Sequence, residues 1–141
     1  MANALQPTGQ QEEDVFGKAI IIVEDDPSNA EVLHLLLQLA DRSYQVTCFR
    51  SGEEIFANVD LIKSLHPVLF VLDYQLSSMT ALELCKRLRA MEELENVPTI
   101  ILSGSRISDA EKKRMGQLGL LFMPKPYDID DLLATIARVI S

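Results

Sequence analysis

The chain has 141 residues, 48% of them hydrophobic and 24% charged, and a formal net charge of -8. That is enough for one domain, which at this size buries roughly two thirds of its unfolded surface without a staple, and too little for two. The acidic balance disfavours non-specific attachment to nucleic acid or to an anionic membrane surface, both of which carry the same sign.

The lead-in, residues 1–17, mixes Gln, Glu, Asp, Gly and Pro with scattered apolar residues and reads as a flexible extension of a domain over 18–141. It has no signal-peptide run, and no later stretch approaches the ~18 apolar residues of a membrane span, so a cytoplasmic protein is expected. Short apolar runs follow at 19–23, 68–72, 99–102 and 120–123, β-branched or leucine-rich and bounded by turn residues. They predict strands covered on both faces, with a weaker, edge-like strand at 45–49. Between them lie amphipathic stretches with helix-start signals. Asp26-Pro27 caps and opens the first helix, and Ser51–Glu54 reads as a capping box for the second. Thr80–Glu83 opens the third, Ser108–Glu111 the fourth, and Asp128 the last. Cys48 and Cys85 lie in apolar company without metal-ligand spacing, which reads as two buried free thiols, a single disulfide being the alternative.

Strands alternating with five helices predict an α/β fold, a doubly wound five-stranded parallel sheet in the order 2-1-3-4-5. Such sheets bind ligands beyond the carboxyl ends of their strands. Those positions hold Glu24, Asp25 and Asp26, then Asp73, then Ser103 with Gly104, then Lys125 with Pro126. Crowded carboxylates repel, and Lys125 supplies one positive charge. A hard divalent cation such as Mg²⁺ suits the remainder, because it prefers oxygen ligands. With charge balanced, an Asp73 oxygen can attack phosphorus, a reaction that asks the protein for alignment and neutralisation. Asp26 is read as the cap before Pro27 rather than as a ligand.

These residues carry a resemblance. Ile-Ile-Ile-Val-Glu-Asp-Asp-Pro at 20–27, Val-Leu-Asp-Tyr-Gln-Leu at 71–76, Ile-Leu-Ser-Gly at 101–104 and Pro-Lys-Pro-Tyr at 124–127 resemble the four motifs of response regulator receiver domains. The likeness runs from about residue 18 to the C-terminus and implies the flavodoxin-like receiver fold of the chemotaxis regulators. It implies Asp73 as phospho-acceptor, with Mg²⁺ or Mn²⁺ held by Asp25, by Asp73, by the Gln75 backbone carbonyl and by Glu24 through water. It further implies that Ser103 swings to hold the phosphoryl group, that Lys125 pairs with it, and that the Lys125–Pro126 bond is cis. Phe122 stands at the family's aromatic switch position and is either a switch residue or a plain core phenylalanine.

The loop after Asp73 departs from the family pattern: Ser77 stands where proline is usual, and Thr80-Ala81 where acidic or small polar residues and glycine are usual. His34 and His66 are read as surface or helix-face residues, the methionines as packing, and Lys112, Lys113 and Arg114 as a solvated basic face. The resemblance implies a histidine kinase or histidine phosphotransfer protein as phosphodonor. It also implies a switch on the face built from the fourth helix, fifth strand and fifth helix, which in this family also mediates homodimers. With the chain ending in its fifth helix, output is expected through a separate protein, and passing the phosphoryl group onward is the alternative. A phosphorylation-independent scaffold competes. A turnover phosphatase of the haloacid-dehalogenase kind would need a second acid two residues after Asp73, where Gln75 stands. The chain is expected not to be a turnover enzyme.

Overall fold

The computed structural model describes residues 17–104 and 106–141. The extension expected at 1–17 therefore lies, apart from Gly17, outside the described residues.

Five strands form the sheet: β1 (Lys18–Val23), β2 (Tyr44–Phe49), β3 (Leu69–Asp73), β4 (Thr99–Ser103) and β5 (Leu121–Pro124). All pair in parallel, in the order β2-β1-β3-β4-β5. The apolar runs become strands because both faces are covered, so alternation has to appear as two sets of apolar partners rather than as apolar against polar. Ile21, Val23, Phe70, Leu72 and Ile101 enter one cluster, while Ile20, Ile22, Leu69, Val71, Ile100 and Leu102 enter the other.

The helices are α1 (Pro27–Ala40), α2 (Gly52–Ala57), α3 (Val59–Leu65), α4 (Ala81–Arg89), α5 (Asp109–Gln117) and α6 (Ile129–Ile140). Leu33 and Leu37 of α1 and Leu132 and Ile136 of α6 close the second cluster. Residues of α2 to α5, among them Ile55, Ile62, Leu84 and Met115, close the first. The architecture is the expected one, with a difference in the second helix. It is broken at Asn58, whose side-chain amide donates to the Glu54 carbonyl at 2.8 Å while its backbone leaves the helical region. Asparagine competes for the backbone in this way, and the helix restarts as α3.

The caps follow the sequence closely. Asp26 accepts from the N–H groups of Ser28 and Asn29 ahead of Pro27, and Asp128 from that of Asp131. Thr80 with Glu83, and Ser108 with Glu111, make complete capping boxes. Ser51 makes half of one: it accepts from the Glu54 N–H, but the Glu54 carboxylate reaches back to the Arg50 N–H, one residue early. Thr80→Ala removes the acceptor that starts α4 and should lower stability by about 1 kcal/mol. Urea unfolding monitored by circular dichroism measures this; an unchanged midpoint would show that the buried face of α4 alone sets its start.

One smaller reading changes. Cys85 is buried and Cys48 only half-buried, and both are free. The Cys48 sulfur lies 3.8 Å from His34 Nδ1, a neighbour that spacing alone does not reveal.

Candidate functional site

The parallel register brings the chemistry to one rim. Val23 pairs with Leu72, so the chain leaves β1 as Glu24 beside the end of β3, where Asp73 sits opposite Leu102 of β4. Ser103 pairs with Pro124, which puts Lys125 one step beyond Ser103, and the Lys125 N–H donates to the Ser103 carbonyl at 2.7 Å. The Lys125–Pro126 peptide is cis, as the resemblance implies. Four strand ends thus fix four side chains without any one loop having to be rigid.

Carboxylate oxygens of Glu24, Asp25 and Asp73 lie within 4.8 Å of one another. The Lys125 ammonium stands 3.4 Å from Asp73 Oδ2 and 3.5 Å from Glu24 Oε1. Glu24 is buried and accepts the Asp26 N–H at 3.1 Å. Asp73 is half-buried and accepts the Gln75 N–H at 3.3 Å, while Asp25 is exposed. Ser103 is buried at the end of β4. Three carboxylates against one ammonium leave a surplus of negative charge lined with hard oxygen donors, a setting that fits a small divalent cation.

Burial is the main force on Glu24 and pushes its carboxyl up to about 7. The Asp26 N–H opposes that rise, the Asp73 charge adds to it, and Lys125 opposes it. Burial alone would lower the Lys125 ammonium, but the Asp73 and Glu24 carboxylates outweigh it and hold the group above its usual value. A carboxyl whose folded value exceeds its unfolded one binds its proton more tightly when folded. The metal-free protein should therefore lose stability as pH rises from about 4.5 to about 7, and stay level above. Melting temperatures of wild type and Glu24→Gln across that range test this. A profile equally steep in both would assign the dependence to another group.

Gln75 lies in the loop beyond Asp73 and forms an isolated bridge with Thr80. Phe122 is half-buried against the first cluster, in which Ile101 and Met115 also lie, a placement compatible with either role. Lys112, Lys113 and Arg114 are exposed on α5, and His66 is exposed at the end of α3. Sequence reasoning passed over one pair near the rim. The Tyr74 hydroxyl, directly after Asp73 in the chain, donates to Glu111 at the start of α5. Burial first, and then that carboxylate, push the Tyr74 phenol up to about 12. The same bond is the main cause holding Glu111 below its usual value. No periodic signal links two residues 37 positions apart.

Comparison with known proteins agrees with this geometry. Residues 20–137 match the model of the response regulator receiver domain. The polar-differentiation response regulator DivK of Brucella ovis is 31% identical over 120 residues, covering 84% of this chain and 93% of that one. The cell cycle transcriptional regulator CtrA of Caulobacter vibrioides is also 31% identical, with 86% of this chain spanning 49% of its length. Among solved structures, the non-phosphorylated HemR receiver domain of Leptospira biflexa superposes with a TM-score of 0.74 at 27% identity, over 88% of this chain and 94% of that one. The chemotaxis regulator CheY4 of Vibrio cholerae reaches 0.75 at 23% identity, over 87% and 98%, a likeness of fold. Among the described residues no helix is long and apolar enough to cross a membrane. With four strand ends meeting in one acidic rim and nearly the whole described chain under one family model, the protein belongs to the response regulator receiver family of two-component signalling.

Proposed function

We propose that the chain is a phosphorylation switch that accepts a phosphoryl group from phosphohistidine on Asp73 and changes what it binds. One observation carries this reading: Asp73 shares a 4.8 Å cluster with Glu24 and Asp25, with the Lys125 ammonium 3.4 Å from its own oxygen. An Asp73 oxygen attacks phosphorus. The P–O bond forms as the P–N bond to the donor imidazole breaks, and the electron pair stays on that nitrogen. Lys125, 3.4 Å from Asp73 Oδ2, offsets charge on the phosphoryl oxygens. Ser103, at the end of the neighbouring strand, donates its hydroxyl to a phosphoryl oxygen after transfer. Asp25, Asp73, the Gln75 backbone carbonyl and, through water, Glu24 are the groups that would hold Mg²⁺ or Mn²⁺. That cation, when bound, supplies positive charge to the transferring group.

The phosphodonor is a histidine kinase or a histidine phosphotransfer protein. Exposed Val32, Leu35 and Leu39 on one side of α1, beginning at the pocket that also contains Lys125 and Glu24, give such a protein an apolar place to rest. The added charge shifts a two-state equilibrium on the face of α5, β5 and α6, with Phe122 as its aromatic member, and a separate output protein reads the result. Relay of the phosphoryl group to a histidine phosphotransfer protein is the second reading. It draws on the same donor-facing surface working in reverse.

The test is intact mass after incubation with a small-molecule phosphodonor and Mg²⁺. One phosphoryl group is expected on wild type, none after chelation, and none on Asp73→Asn. Absence of any gain, together with no response to beryllofluoride, would leave the scaffold reading in its place.

A further inference from the structure

We propose that Tyr74 is a positioning residue whose hydroxyl, held by Glu111, keeps the first turn of α5 in place beside the unphosphorylated acceptor and sets how readily α5 is released. Its consequence for signalling rests on the receiver reading above, whereas the tether itself does not.

Tyr74 has little freedom of its own. It is 5% exposed, its N–H donates to the Leu102 carbonyl at 2.8 Å, and its own carbonyl accepts the Ala81 N–H at 3.1 Å. The side chain therefore reports the position of the Asp73 strand end almost rigidly. At the other end, the Glu111 carboxylate has two duties. One oxygen accepts from the Ser108 N–H at 3.3 Å and the Ser108 hydroxyl at 3.1 Å, closing the capping box of α5. The other accepts from Tyr74. One carboxylate thus both organises the first turn of α5 and ties it to the residue after the acceptor.

The tie matters because α5 has little else to hold it. Met115 is its one buried residue, whereas α4, also nine residues long, buries Ala81, Leu84, Cys85 and Leu88. Elements with few buried apolar contacts open first, and for them a single charge-assisted hydrogen bond is a large share of the anchoring. The chain also reaches α5 directly from Ser103 at the end of β4. The helix is therefore linked to the acceptor region by the chain and, independently, by the Tyr74–Glu111 bond. A displacement at the strand ends that strains this bond would release the start of α5.

Hydrogen exchange of the metal-free, unphosphorylated protein tests the tether. Tyr74→Phe should speed exchange of amides 109–113 roughly five- to tenfold, leaving those of β1 and β3 unchanged. The same substitution made in a Glu111→Ala background should add nothing further, since the partner is already gone. Exchange at 109–113 equal to wild type, acceleration spread evenly over the sheet, or a full additional effect in the Glu111→Ala background would each overturn the proposal. With beryllofluoride and Mg²⁺, wild type should show faster exchange at α5, and Tyr74→Phe a smaller increment from its raised baseline; equal increments would overturn the role in switching. A wild type that does not respond to beryllofluoride counts against the switching role and the receiver reading, and leaves the tether to be decided by the first comparison.

Discussion

Replacing Asp73 by asparagine will abolish phosphoryl uptake and will also make the metal-free protein more stable, by on the order of 1 kcal/mol. The first effect follows from chemistry: the amide keeps the shape of the carboxylate but is no longer an anionic oxygen nucleophile. The second follows from charge. Asp73 faces two other carboxylates within 4.8 Å and a single ammonium at 3.4 Å. At an effective dielectric near 20, unit charges ~4 Å apart interact by about 4 kcal/mol, so two repulsions outweigh one attraction. Exposure of Asp25 to water and screening by salt reduce the surplus to a fraction of that. Lys125 keeps its second partner, Glu24, at 3.5 Å. Urea unfolding in chelator at pH 8, where Glu24 is ionised, should show a higher midpoint for Asp73→Asn, and added Mg²⁺ should raise the wild type more than the variant. A lower midpoint for the variant in chelator would mean that the Asp73–Lys125 pair, not carboxylate repulsion, dominates the rim.

Lys125→Met should slow phosphoryl uptake by about 10²- to 10³-fold, the usual loss when one preorganised donor to a developing anion is removed. The thioether keeps the length and packing of the stem and takes away only the charge. In the folded state it leaves Glu24, buried against Asp73, without a cation, which should cost roughly 2 kcal/mol above pH 7. Near pH 5 Glu24 holds its proton, so most of that cost should vanish. Single-turnover mass measurements give the rate, and unfolding at pH 5 and pH 8 gives the stabilities. A variant as fast as wild type would remove Lys125 from the transfer step. One destabilised equally at both pH values would owe its loss to packing.

Much of this rim is visible in the sequence because a parallel sheet converts order along the chain into place in space. Once 19–23, 68–72, 99–102 and 120–123 are read as strands, the one or two residues beyond each must lie at the same edge. Glu24, Asp73, Ser103 and Lys125 do so, although the strand bounds differ by a residue. The caps were legible for a similar reason, since a capping box is complete within four residues. What escaped the sequence depended on contacts that no local pattern encodes. Asn58 divides the second helix through one amide to the Glu54 carbonyl, a choice the surrounding helical pattern gives no reason to expect. Tyr74 looks like one more apolar residue after a strand, and Glu111 like an ordinary box member. Their bond exists only because α4 and β4 bring α5 back beside β3. His34 and Cys48 meet in the same way across α1 and β2.

The alternation of β1, β3 and β4 between two separate apolar clusters bears on how such a chain can diverge. Phe70 and Leu72 fit one set of neighbours and Leu69 and Val71 another, with the sheet backbone between. A volume change under α4 and α5 has to be absorbed by Ile55, Leu84, Met115 and their companions, and makes no demand on Leu33, Leu37, Leu132 or Ile136. One layer can therefore be recomposed by successive small swaps while the layer beneath α1 and α6 keeps its fit. The acidic rim, at the ends of strands that serve both layers, is the place where the two histories must still agree.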